Sequence, residues 1–287
     1  MRREVRGYRL IPGAKLSNVN LSGEQLTLVK LYHADLSLAD LRRAVLNRAN
    51  LSQANLTLAY LSEAMLIGAN LFNAKLIKAD LQGANLRDAN LSCAQLMEAR
   101  LIGAILHGCQ LDHANLKGAD LERADLSGTN LQSASLEQAN LHLTNLSYAN
   151  LSYASLDNAH LSGTNLQGAN LAGARLKRAN TLANLAGSNL EKANLAGANL
   201  SDAQLSRASL MGANLEGADL SGTNLYRADL REANLTGANL EGANLEGVQL
   251  EGAILKDTNF NWANLHQSSG SAMRREDLWN WQEIELI

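Results

Sequence analysis

Residues 84–93 read Ala84-Asn85-Leu86-Arg87-Asp88-Ala89-Asn90-Leu91-Ser92-Cys93, two copies of one five-residue unit. Each copy is a small residue, an Asn or Asp, a Leu and two variable positions. Outward from this stretch, Leu recurs every five residues from Leu16 to Leu176 without substitution. It resumes at Leu185 and continues to Leu265, with Phe260 as the one exception. The small residue is usually Ala, as at Ala34, Ala39, Ala44 and Ala49; Cys109, Thr129, Thr144 and Ser188 stand in elsewhere.

A period of five fits neither regular element. On an α-helix, five residues advance about 500°, so successive Leu would rotate by about 140° and cover every face. On a flat strand, an odd period flips each Leu to the opposite side of the sheet. Within one unit, however, the small residue and the Leu are two apart and share a side of a short strand, with Asn or Asp pointing away. The next two residues are polar or Gly and both look outward, so the chain turns a corner there. A short strand and a corner, repeated, make a coil with Leu and Ala inside. Coils stacked about 4.8 Å apart hydrogen-bond to one another. The fold class is all-β, a solenoid held by contacts between neighbouring coils.

The unit resembles that of the pentapeptide repeat family, over about residues 14–267. The resemblance implies a right-handed quadrilateral β-helix with four units and twenty residues per coil. Some outward residues match at a lag of twenty: Leu38 with Leu58, Val45 with Met65, Ser135 with Ser155. About thirteen coils would give a rod of roughly 60 Å at the strand spacing. Residues 1–13 are then an N-terminal cap around Val5, Tyr8, Leu10 and Ile11, and residues 268–287 a linker and a short C-terminal α-helical cap. Ser271 is the expected N-cap of that helix.

Gly at the second corner position supplies the positive φ of a type II turn. Such glycines crowd the second half (Gly187, Gly197, Gly212, Gly217), which should be richer in type II corners; Arg42-Arg43 should be type I or irregular. One register slip interrupts the repeat: Thr181-Leu182-Ala183-Asn184 is a unit of four, the expected result of a deletion absorbed at a corner.

Composition agrees with a narrow interior. Hydrophobic residues make up 46% of the 287, yet aromatics are 4% and there is one proline. Wholesale disorder is excluded by that apolar content. Two cysteines exclude a disulfide scaffold. No apolar run reaches the 18 residues of a membrane span, and the N-terminus lacks the apolar core of a signal peptide. A cytoplasmic, reducing location is expected. Residues 1–100 hold 13 Lys+Arg and 8 Asp+Glu, net +5; residues 101–287 hold 12 and 20, net −8.

Catalytic motifs are missing: no P-loop, G-x-G-x-x-G, G-x-S-x-G or H-E-x-x-H occurs. Cys109 occupies an inward position and should be a core residue, whereas Cys93, at a corner, should be an exposed thiol. The six His are corner or outward residues without a ligand motif. A non-enzymatic protein with no cofactor and no metal is expected. Arg2, Arg3, Arg6 and Arg9 read better as part of a solvated cap than as a nucleic-acid arm.

Surface recognition remains. At twenty residues per coil, the outward apolar residues Leu38, Val45, Leu58, Tyr60, Met65, Ile77, Met97, Ile102 and Ile105 fall on two adjoining sides over about four coils. Ile67 and Phe72 should flank them, with Arg42, Arg43, Arg48, Arg87 and Arg100 at the borders. Apolar, Met and Arg together are the make-up of an interface. The expected function is a protein–protein interaction module with an unidentified protein partner. The family resemblance adds an alternative, a DNA-mimicking regulator of a type II topoisomerase such as gyrase, with Glu216, Glu232, Glu241, Glu246 and Glu251 as its acidic part. It also implies a homodimer through the C-terminal end, with Leu278, Trp279, Trp281 and Ile284 as cap or dimer residues. Direct nucleic-acid binding is not expected, because long basic stripes are missing, nor is membrane insertion.

Overall fold

A computed structural model of the chain describes residues 4–161, 163–171, 174–175, 185–187 and 189–270. The chain forms two compact units, Met1–Asn145 and Leu146–Ile287.

The N-terminal unit begins with a hairpin. β1 (Glu4–Val5) pairs antiparallel with β2 (Tyr8–Arg9). The hairpin turns through Arg6 and Gly7, both at positive φ. The Arg6 guanidinium fastens it to the first coil: Nε meets Glu24 Oε1 at 2.6 Å, Nη1 donates to Asn20 Oδ1 and Nη2 to the Ser22 carbonyl. Leu10 and Leu16 are buried behind it, and Leu21 and Leu26 have no exposed surface.

Beyond the hairpin, every pairing in this unit is parallel and joins residues twenty apart: Lys15 to Asp35, Asn20 to Asp40, Gln25 to Val45, Lys30 to Asn50. Four pairings per twenty residues define four sides. The first carries Lys15, Asp35, Asn55 and Lys75; the second Asn20, Asp40, Tyr60, Asp80 and Arg100. The third carries Gln25, Val45, Met65, Asn85 and Ile105; the fourth Lys30, Asn50, Asn70 and Asn90. An inner unit of five contributes three bonds between coils and one within its corner. In the unit ending at Asn50, Leu46 N donates to Met65 O, Arg48 N to Ile67 O and Asn50 N to Val29 O, while Ala49 N closes the corner on Leu46 O.

The interior is the Leu and Ala column, almost all at 0–1% exposure. Where Thr replaces Ala its hydroxyl is satisfied: Thr129 donates to Leu126 O and Thr144 to Leu121 O. A buried hydroxyl without such a partner would cost a few kcal/mol.

The Asn/Asp position has two roles. Its Oδ1 accepts the backbone N–H two residues on, as Asn50 does from Ser52 and Asp229 from Arg231, which braces the corner. Its Nδ2, when it is Asn, donates to the equivalent residue one coil away: Asn55 to Asp35, Asn140 to Asp120, Asn170 to Asn150. Asp serves only as the accepting end of such a ladder.

The corners correct the sequence expectation. Among the described residues, every second corner position has positive φ, glycine or not: Leu38 at 60°, Arg43 at 58°, Cys93 at 59°, Trp262 at 60°. Arg42-Arg43 is thus neither type I nor irregular, and the second half is not richer in this turn. The reason is the pairing. Inside the stack such a residue donates its N–H to the neighbouring coil (Arg43 N to Ser62 O, 3.0 Å) while the next residue closes the corner (Ala44 N to Leu41 O, 3.0 Å). A left-handed non-glycine costs about 1–2 kcal/mol. Leaving those bonds unmade would cost more.

The C-terminal unit repeats the same coil with one break. Asn150 pairs with Asn170 and Ser155 with Arg175, twenty apart. Asn165 then pairs with Asn189, Asn170 with Asn194 and Arg175 with Asn199, twenty-four apart; from Asn189 to Ser209 onward the lag is twenty again. Residues 181–184 themselves lie outside the described residues, but their neighbours show the sense of the slip. It is four residues gained, where a deletion of one was expected. The two are equivalent in sequence, because a period of five fixes a slip only modulo five. A nineteen-residue coil would leave one side a residue short of its bridges. The expected C-terminal helix, with Leu278, Trp279, Trp281 and Ile284, also lies outside the described residues.

Candidate protein-docking surface

All nine candidate residues belong to the N-terminal unit. Leu38, Leu58, Ile77 and Met97 run up the corner between the first and second sides. Tyr60 stands on the second side, Ile102 at the corner between second and third, and Val45, Met65 and Ile105 on the third. Val45 and Met65 are directly bridged. Leu38 and Leu58 are 44% exposed and Tyr60 48%; the other six are half-buried, shielded by neighbouring coils. Of the two expected flanking residues, Ile67 sits at the corner beyond Met65. Phe72 lies at the corner between the fourth and first sides, with the whole first side between it and the patch.

Charges around this surface are mostly spent on one another. Arg42 grips Asp40 with two bonds, Nε to Oδ1 at 2.9 Å and Nη2 to Oδ2 at 2.7 Å. That fork is the main reason the Asp40 carboxyl lies below the usual carboxylate range, and it raises Arg42 in turn. Arg43 bonds Glu63 one coil on, lowering its carboxyl. Arg100 reaches Asp80 at 3.6 Å and donates to Gln82. Two hollows share Arg42. One, of about 260 Å³, is lined by Asn18, Val19, Asn20, Leu38, Asp40, Arg42 and Tyr60. The other, of about 520 Å³, is lined by Ser22, Gly23, Arg42, Arg43, Ser62 and Glu63. Arg48 and Arg87 make no ion pair among the described residues.

Reactive groups are scattered. Cys109 is fully buried; burial pushes its thiol up to about 12, and it donates to Leu86 O at 2.9 Å. Cys93, expected to be exposed, is half-buried. Neither cysteine is in a disulfide. Among the described residues no group of three or more His, Cys, Asp or Glu could hold a metal ion, and no helix is long and apolar enough to cross a membrane.

Several exposed apolar residues escape the sequence search. Leu28 is 65% exposed, Tyr148 69%, Tyr153 68% and Trp262 83%. All are second corner residues at positive φ, and this position throws the side chain outward. A large residue at that position was the available signal. Tyr148 lies across Gly168, where a Cβ would come within 2.7 Å of its ring.

The family model for pentapeptide repeats matches in eight copies, at residues 13–48, 39–76, 64–103, 104–142, 144–180, 181–217, 208–247 and 233–269. Among solved structures the chain is similar to HetL, a pentapeptide repeat protein involved in heterocyst differentiation regulation from the cyanobacterium Nostoc sp. strain PCC 7120. Identity is 36%, covering 87% of this chain and 91% of that one, with a TM-score of 0.43. It is similar to alr5209, also a pentapeptide repeat protein of Nostoc PCC 7120, at 32% identity over 33% of this chain and 83% of that one, TM-score 0.25. Trypsin-treated QnrB1, a plasmid-mediated fluoroquinolone resistance protein, shares 20% identity over 71% and 85%, TM-score 0.29. No curated protein sequence matches.

Proposed function

Because the chain belongs to the pentapeptide repeat family, we propose that it is a non-enzymatic interaction module that docks a protein partner on the lateral apolar surface of its N-terminal unit. The observation that carries this is the grouping of Leu38, Leu58 and Tyr60 on one side and of Val45 and Met65 on the adjoining side, across the corner that holds Arg42, Arg43, Ser62 and Glu63. Scattered apolar residues are ordinary on any surface; apolar residues grouped on adjoining sides and mixed with Met and Arg have the composition of an interface.

DNA mimicry is the less favoured alternative on charge. The first side of the N-terminal unit, Lys15 to Ser135, spans six coil spacings, about 29 Å. Duplex DNA of that length carries about 17 negative charges. Residues 1–145 hold 15 Lys+Arg and 13 Asp+Glu, net +2; residues 146–287 hold 10 and 15, net −5. In both units carboxylates are held by Arg, as in Asp40–Arg42, Asp157–Arg175 and Asp229–Arg231.

A homodimer through the C-terminal end belongs to the same proposal. In its favour, Leu255 and Phe260 are 5% and 8% exposed where the preceding Leu are at 0%, Leu265 is half-buried, and Trp262 stands beside them at 83%.

The test of docking is a double variant, Met65→Asp with Ile102→Asp. Both residues are half-buried on the outer surface, so the coil should survive while partner capture, identified by mass spectrometry, is lost. Capture that persists with the variant removes this surface as the site.

A further inference from the structure

The two sides of the proposed docking surface differ in what their cations do. On the second side and its corners the guanidiniums hold carboxylates: Arg42 on Asp40, Arg43 on Glu63, Arg100 on Asp80. An arriving anion would have to displace those partners. At the outer corner of the third side, Arg48 and Arg87 hold none among the described residues. Their backbones are fixed, Arg48 N on Ile67 O and Arg87 N on Asn85 Oδ1. Arg48 lies across Gly68, its Cγ 3.5 Å from where a Cβ would be. The nearby acids are turned elsewhere. Asp88 folds over Gly108, and Asp125, on the coil beyond Ile105, holds Ser127 and Asn145.

Beside these two cations lie Val45, Met65 and Ile67, with Ile105 two coils on. Val45 to Ile105 covers three coil spacings, about 14 Å. The N-terminal unit as a whole is only slightly basic, with residues 1–145 at +2, so the positive charge that counts is local, at Arg48 and Arg87. Apolar anchors beside cations with no carboxylate to displace select one kind of occupant. A carboxylate meeting a free guanidinium gains a forked, charge-assisted pair.

Resting on the docking function proposed above, we propose that the third side is the docking face and that its partner is an acidic segment of another protein. Its apolar side chains seat on Val45, Met65 and Ile67, and its carboxylates meet Arg48 and Arg87. Complementary charge also steers encounter, so association slows as salt rises.

A random-sequence peptide library displayed on phage, panned on the full chain, tests this. The expected winners carry an excess of Asp and Glu with interspersed apolar residues. By fluorescence anisotropy they bind at least tenfold more weakly to Arg48→Glu/Arg87→Glu and to Met65→Asp, with Arg48→Gln/Arg87→Gln intermediate. Melting followed by circular dichroism shows that each variant is folded. Neutral or basic winners that need Met65 but ignore both arginines overturn the acidic partner and leave lateral docking standing. Winners indifferent to Met65→Asp, or no enrichment over a blank surface, overturn both.

Discussion

The Asn ladder explains why the motif demands Asn or Asp, and Asn239 tests it. Its Nδ2 donates to Asp219 Oδ1 at 3.2 Å; its Oδ1 accepts from Asn259 Nδ2 at 2.8 Å and from Glu241 N at 3.3 Å. Asn239→Asp keeps the acceptor that braces the corner but deletes the donor, and sets two carboxylates one coil apart. Two unit charges at about 4.8 Å repel by about 3.5 kcal/mol at an effective dielectric of 20 and by about 0.9 in bulk water. Both residues are half-buried, so about 1–3 kcal/mol is expected, with about 1 more for the lost hydrogen bond. The pH dependence has a definite sign. Repulsion raises the folded-state pKa of the pair above its unfolded value near 3.9. The penalty is therefore full at pH 7 and recedes as pH falls through the raised pKa, where one carboxyl takes a proton and can donate again. Urea unfolding followed by circular dichroism, on wild type, Asn239→Asp and Asn239→Ala at pH 7 and about pH 4, reads this out. An Asn239→Asp protein as stable as wild type at pH 7, or a penalty unchanged at the lower pH, refutes the ladder.

Corner strain gives a paired prediction. Gly103→Ala, at φ 62° with nothing within 4 Å of the new Cβ, should destabilise by about 0.5–1 kcal/mol, strain less the entropy gained in the unfolded chain. Gln53→Gly, at φ 57°, should stabilise by a similar amount; equal unfolding midpoints for the two variants would show that the corners carry no strain. Leu76→Ala, at zero exposure, should lower stability by about 2–5 kcal/mol in the same assay, and a loss below about 1 would mean the core is loosely packed. With a thiol reagent at pH 8, Cys93 should be modified in the native protein and Cys109 only after unfolding, since its thiolate is suppressed by burial; equal rates would contradict the inward placement.

The coil was legible because its signal is a period, and the period appears in Leu86, Leu91 and every comparable position. The interior role of Cys109 followed from the same count. What escaped the sequence depends on backbone geometry shared by all coils. Arg43 and Leu38 carry no mark of a left-handed corner, because pairing with the next coil imposes it whatever the residue. For the same reason Tyr148 and Trp262, the most exposed aromatics described, passed unnoticed. The change of lag falls between the Ser155–Arg175 and Asn165–Asn189 bridges, and a period of five cannot separate one residue lost from four gained. On the proposed docking surface, the nine residues could be assigned to columns by counting. That Arg42 is bound to Asp40 while Arg48 holds no carboxylate among the described residues could not, since it turns on which carboxylate each guanidinium reaches.

The third side of the N-terminal unit is proposed to meet another protein. The direct measurement is photocrosslinking in the cells that express the chain, with a benzophenone amino acid in place of Met65. A control carries it in place of Gln53, an exposed residue at the corner between the fourth and first sides. An adduct of one defined mass from position 65, with none from position 53, is the predicted result. No adduct at 65, or the same products from both positions, would contradict it.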